Sequence, residues 1–209
     1  MKKKYSVIEK KKIERGIVLS DFQKLSFSKQ LKKYFDGKMP SGEMFYLGIT
    51  PKLLVRNGAN NFKLVMKQET LDKIIRSPEE NMQGHHINKK IINKLYKNIC
   101  SPMMIIRGSI PNTLVEILFV KDDNKRNILI SFSLNSKEYE YEVTRITSAY
   151  GKKRICSYLT NISREILFIS DKKKMNNWLL SEGLQLSKHV TNDSSYKYII
   201  CIKYKKSNK

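Results

Sequence analysis

Apolar residues along this chain come in short blocks, some spaced as on one face of a helix and some alternating as in a strand, separated by lysine-rich or Gly/Pro-containing stretches. Ser20-Asp21 can cap a helix whose Phe22, Leu25, Leu31, Tyr34 and Phe35 face a core, and Gly37, Pro40 and Gly42 break it. Phe45 to Gly48 reads as a strand, Thr50-Pro51 opens a brief helix through Leu54, and Asn57-Gly58 turns the chain into a second strand at 62–66. Thr70 is placed to cap Leu71–Ile75. After the segment 77–84 comes the pair His85-His86, then one helix with Ile87, Ile91, Ile92, Leu95 and Ile99 on a common face, stopped by Pro102.

The second half is richer in β signals. Segments 103–106, 114–120 and 127–133 read as strands, the last two joined across the polar turn 121–126. Residues 138–143 alternate as a further strand, Ile155, Leu159 and Ile162 mark a helix, and 165–169 returns to strand. Asp171 caps a lysine-rich helix carrying Trp178, Leu179 and Leu180, Gly183 ends it, and 196–204 is a final β run. The expected class is α+β: helices early, packed on a central antiparallel sheet, in one domain over 20–209 behind a basic arm at 1–19.

Composition changes the picture in one respect. Lys and Arg number 41 against 19 Asp and Glu, a formal charge of +22, with hydrophobic residues at 40%. Such a charge opposes compaction and draws in polyanions. A lysine-rich composition alone would also produce it, so charge does not identify a partner; contact with RNA or DNA is the stronger expectation. Cys100, Cys156 and Cys201 have neither disulfide nor metal-knuckle spacing, and their apolar neighbours suggest buried thiols. No Asp/Glu/His cluster has metal-ligand spacing, no glycine-rich phosphate loop is present, and no cofactor is implied. Without a bilayer-length apolar run, and with no apolar stretch behind Met1–Tyr5, the expectation is a cytoplasmic protein with no membrane contact.

Several separated motifs resemble the MuF C-terminal domain family, found on phage head-morphogenesis polyproteins and related mobile elements. They are Leu25-Ser26-Phe27-Ser28-Lys29-Gln30, Gly37-Lys38-Met39-Pro40, and the run from Leu47-Gly48 to Leu53-Leu54. His85-His86-Ile87, Leu95 and Ser101-Pro102 follow, then Ser148-Ala149-Tyr150-Gly151-Lys152, then 166–174. The match runs from about residue 25 to 185; Leu95-Tyr96 stands where a Leu-Pro step is usual. The family is grouped with the barnase, EndoU, colicin and RelE-like (BECR) toxin nucleases. That grouping implies helices packed on a four- or five-stranded antiparallel sheet, and metal-independent RNA cleavage.

Such cleavage needs a base for the ribose 2′-OH, a proton for the leaving 5′-oxygen, and cations around the phosphorane. His85 matches the family histidine and can serve as base or acid; taken alone, a histidine there would be a cap or core residue. Ser148 and Tyr150 supply hydroxyls, though in isolation they read as the cap and core aromatic of a strand-to-helix junction. Arg145 can clamp phosphate bidentately. His86, Lys152, Lys153, Arg154 and Lys173 are candidates for substrate binding, more often as electrostatic footing than as catalysts. The resemblance thus implies a toxin-type endoribonuclease acting on tRNA or single-stranded RNA, with a cognate immunity or inhibitor protein as a second partner. The rivals are a non-catalytic nucleic-acid-binding or phage-structural module, and a basic protein that inhibits a host protein.

Overall fold

A computed structural model describes residues 19–76, 85–138, 141–153, 155–160, 165–190 and 196–202. The basic arm expected at 1–19 lies outside these residues apart from its last member, as do Arg154 and the segment 77–84. The helices are α1 (Phe27–Phe35), α2 (Lys52–Arg56), α3 (Gln68–Ile75), α4 (Lys89–Asn93), α5 (Leu95–Ile99), α6 (Ile155–Thr160) and α7 (Lys172–Ser181). The strands are β1 (Phe45–Ile49), β2 (Lys63–Met66), β3 (Met104–Arg107), β4 (Thr113–Lys121), β5 (Asn127–Glu138), β6 (Tyr141–Gly151), β7 (Ile166–Ile169), β8 (Leu184–Val190) and β9 (Tyr196–Ile202).

The fold is α+β, built on an open seven-stranded sheet of order β1-β2-β6-β5-β4-β3-β7; β8 and β9 form a separate antiparallel pair. Every contact in the large sheet is antiparallel except β2 with β6. The early helices bury their apolar stripes on one face: Leu31, Leu54, Leu71, Ile74, Ile92, Leu95 and Ile99 meet Ile105, Leu114, Leu118, Ile130, Phe132 and Ile146 in one core. On the opposite face α6 and α7 bring Ile155, Leu159, Met175 and Leu179 against Met104, Ile106, Val115, Ile117 and Leu129. Successive residues of β3, β4 and β5 supply the two cores in turn, as the strand period of two requires.

Phe45 anchors α1. It is fully buried and its ring meets those of Phe22, Phe27 and Tyr34 edge-on, with centroids 6.0, 6.1 and 5.7 Å away. Gln30, also fully buried, satisfies the exposed rim of edge strand β1. Its Nε2 donates to the Tyr46 carbonyl at 2.9 Å and its Oε1 accepts from the Tyr46 N–H at 2.9 Å. A side-chain amide thereby completes the ladder where no strand follows. At Gly48 a Cβ would stand 2.7 Å from the Tyr96 ring, whose hydroxyl donates to the Ile49 carbonyl at 2.8 Å. Gly48 therefore lets α5 lie close on β1.

Several boundaries differ from the sequence expectation. Ser20 does act as a cap, exchanging bonds with Gln23 at the head of a single turn over residues 21–24, but the regular helix starts only at Phe27. α3 begins at Gln68, ahead of the supposed cap Thr70. The single helix expected after the histidines is two short ones that meet at Lys94, with Asn88 capping the first through Oδ1 and the Ile91 N–H. Glu138 closes β5 rather than opening a strand, and the segment 145–151 lies inside β6 rather than at a strand-to-helix junction. Cys100 is exposed, not buried; the other two thiols are outside the described side chains. β8 carried no signal strong enough to be expected.

One carboxyl is out of keeping with its surroundings. Glu116 points from β4 into the helix-facing core, beside Ile130 of β5 and Ile105 of β3, and neither of its oxygens has a hydrogen-bond partner among the described residues. Burial raises its pKa well above the usual 4.5, so the native state holds a proton that the unfolded chain releases once pH passes that value. The unfolded state then binds fewer protons, and stability falls as pH rises. Glu116→Leu is expected to flatten this decline and to stabilise the protein by about 1–3 kcal/mol at pH 8, as measured by urea unfolding across pH.

Candidate functional site

Strand β6 positions the site. Its pairing with β5 runs from Tyr141 to Gly151, but β2 accompanies it only over Val143–Ile146. Beyond Ile146, β6 pairs with no strand on that side among the described residues, and the chain after α3 reaches it where the His85 ring meets that of Tyr150. There the chain is fastened to the helix by backbone bonds, His85 N–H to the Lys73 carbonyl at 2.8 Å and Ile87 N–H to the Ile74 carbonyl at 2.8 Å. His86 between them takes a left-handed φ of 53° and donates its N–H to the Arg76 carbonyl at 3.0 Å. This reversal buries Ile87 and leaves His86 exposed.

His85 is half-buried, and its ring centroid lies 5.3 Å from that of Tyr150, tilted by 43°. Desolvation, with the nearby Lys73 ammonium adding to it, lowers its pKa below the ordinary 6.5. At neutral pH the imidazole is therefore uncharged and able to accept a proton. The Lys152 ammonium lies 5.8 Å from the Tyr150 centroid and 5.2 Å from that of Tyr158 on α6. The Lys152 N–H donates to the Asn127 carbonyl at 3.1 Å, while the Asn127 amide bonds the Leu118 carbonyl and accepts from the Trp178 indole of α7. A cation, an imidazole and two phenols thus converge at one end of the sheet.

Ser148 lies two residues from Tyr150 on the same face, directly opposite Ser131, with a bulge separating it from Ile146. Arg145 is set apart. It pairs with Ser133 while Tyr150 pairs with Leu129, a separation of about 13 Å along the strand. Its Nη1 donates to Glu138 Oε1, and the almost buried Glu138 also holds Lys67 at 3.0 Å. Beside that ion pair is a pocket lined by residues that include Met44, Lys67, Glu69 and Glu138. Lys153 is exposed just after the strand, and Lys173 is exposed on the first turn of α7. Arg154 lies outside the described residues. Among the described residues no group of three or more His, Cys, Asp or Glu side chains could hold a metal ion, and no helix is long and apolar enough to cross a membrane.

Tyr158, Lys73 and Asp122 were not among the residues singled out from the sequence. Tyr158 sits on a short helix and Lys73 is one lysine among many, so nothing local separates them from their neighbours. Asp122 explains Gly151. A Cβ at Gly151 would fall 1.9 Å from Asp122 Oδ2, which is held by Arg126 Nε at 2.6 Å. The glycine of Ser-x-Tyr-Gly-Lys admits this turn against the end of β6 and aims Lys152 beyond it.

Two outcomes follow from this geometry. Gly151→Ala is expected to destabilise the protein by about 1–3 kcal/mol through overpacking, read from the urea midpoint. His85 is expected to titrate below 6.5 by NMR, and Lys73→Gln to move its midpoint upward by removing one of the two causes of the shift.

No curated protein and no solved structure matches the chain. One family model does, over residues 76–177, just under half of the sequence; it takes in His85, all of β3 to β7, and most of α7. Over that stretch the chain is similar to the phage MuF C-terminal domain.

Proposed function

We propose that this protein is a phage-associated, metal-independent endoribonuclease whose site is His85, Tyr150, Ser148 and Lys152. The observation that carries this reading is the contact between His85 and Tyr150, residues from distant parts of the chain brought to 5.3 Å between ring centroids, with the Lys152 ammonium beside them. Neutral His85 takes the proton of a ribose 2′-OH. The 2′-oxygen then attacks phosphorus, and the bond to the 5′-oxygen breaks, leaving a 2′,3′-cyclic phosphate. Lys152 offsets the charge that builds on the phosphorane oxygens. The Tyr150 phenol supplies a proton to the leaving 5′-oxygen and recovers one from the imidazolium. Ser148 is placed to hydrogen-bond a phosphate oxygen two residues along the strand. Arg145, tied to Glu138, stands outside this constellation. An enzyme of this kind would be paired with an inhibitor protein in the cell that makes it.

The similarity to the phage MuF C-terminal domain supports a mobile-element setting. The test is cleavage of labelled tRNA and single-stranded RNA in EDTA. Wild type is expected to leave cyclic or 3′-phosphate ends, with activity rising through the lowered pKa of His85 as pH increases. His85→Ala is expected to lose about 10²–10⁴-fold and Ser148→Ala less, while Arg145→Gln retains activity. Salt-sensitive RNA binding without cleavage by any of these proteins would replace the enzyme with a binding module.

A further inference from the structure

The helix layer bears an unusual concentration of unneutralised charge. Lys29, Lys32 and Lys33 of α1, Lys38 after it, Lys89 and Lys90 of α4, Lys94, and Lys97 of α5 are all exposed. None of these eight forms an ion pair among the described residues; the ion pairs engage Lys24, Lys67, Arg107, Arg126, Arg145 and Lys174 instead. On α1 the three lysines sit at i, i+3 and i+4 and so form one cluster. The Lys89 ammonium stands 4.2 Å from the centre of the Phe35 ring, which sets the first turn of α4 against the last turn of α1 and joins the two sets of cations. Acids nearby are few: Asp36 ends α1, Asp72 of α3 accepts from the Tyr34 hydroxyl of α1, and Asp123 accepts from Asn88 at 2.7 Å.

Local helix electrostatics account for only part of this. Lys32 and Lys33 lie in the last turn of α1, where the helix dipole favours cations. Lys89 opens α4, at the end where a cation is disfavoured and where no acid offsets it. Eight like charges on neighbouring short helices repel one another unless something anionic covers them. All eight are lysines, which meet an anion as hydrated point charges rather than through the planar fork by which arginine grips one phosphate or carboxylate, and this suits a polyphosphate backbone held without fixed register. The chain order also connects this surface to the site, since His85 precedes the Asn88 cap of α4 by three residues.

We propose that α1, α4 and α5 form a sequence-independent track for an RNA backbone, which carries a strand away from the His85–Tyr150 end of the sheet. The identity of the polyanion rests on the ribonuclease reading; the site itself does not require the track. The protein is therefore built for long RNA, with short substrates reaching only the His85 end.

The test compares the full-length chain with a fourfold variant, Lys29→Gln, Lys33→Gln, Lys90→Gln and Lys94→Gln, and with a fourfold Lys→Arg control. Binding of a fluorescent 30-nucleotide RNA is followed across salt, with His85→Ala added to each protein to prevent cleavage. Cleavage of a dinucleotide is measured with His85 intact. The glutamine variant is expected to bind the long RNA roughly 10–100-fold more weakly and to lower the salt slope by about 3, since each phosphate contact on a single strand contributes about 0.7. The arginine control is expected to keep the slope, and dinucleotide cleavage to match wild type. A slope and affinity unchanged in the glutamine variant would overturn the track, whatever the protein cleaves. Lysine-dependent RNA binding without dinucleotide cleavage would sustain the track and remove the enzyme. Binding to phosphatidylserine vesicles that exceeds RNA binding and is lost in the same variant would overturn it in favour of a membrane surface.

Discussion

The partial pairing of β2 with β6 is the constraint on which the rest of this arrangement depends. β6 is hydrogen-bonded along its whole length to β5, but on its other side β2 stops at Ile146. Had β2 continued, the edge at Thr147 to Gly151 would be an ordinary ladder and the histidine segment would have no place beside it. Because β2 ends and turns into α3, that helix packs over the sheet and its C-terminal carbonyls fasten the backbone of His85 and Ile87. Ile87 is held in the main core, and His85 is left at the margin, half in protein and half in water. That position lowers the imidazole pKa without removing it from solvent.

Charge in this molecule is divided between two uses. A few cations are spent internally: Arg126 clamps Asp122 against the end of β6, and Arg145 with Lys67 neutralises Glu138 in a nearly dry setting. Among the described residues, eight exposed lysines on and beside α1, α4 and α5 stand without an ion pair. Internal pairs carry geometric information, because they fix a turn and a strand end; the outer lysines contribute only field. Glu116 is a third case, a carboxyl kept neutral by an apolar core, with no charge nearby to justify ionising it.

The local features that sequence patterning captured are those governed by a few adjacent residues. Asp171 caps α7 through the Lys174 N–H, Gly183 ends that helix with a φ of 73°, and the alternating apolar residues of β4 and β5 divide between two cores. The misjudged boundaries have a common cause. The break at Lys94 separates two helices whose apolar residues still follow one periodic pattern, so composition across the break looks continuous. The placement of 145–151 within a strand turned on pairing with β5 over a long register, which no short window of residues contains.

By itself, then, the amino-acid sequence determined an α+β protein of strongly basic character, its major helices and most of its strands, and it supplied the residue types, His85 and Ser-x-Tyr-Gly-Lys, from which the proposed site is drawn. It did so because apolar periodicity, caps and net charge are local or additive properties. Tertiary structure alone decided which of those residues meet. The bonds from α3 hold His85 where its ring meets Tyr150, the pairing of β5 with β6 puts Glu138 within reach of Arg145, and the approach of Asp122 required a glycine at position 151. These are distances between segments far apart in the chain, set by packing and register, and no single segment encodes them.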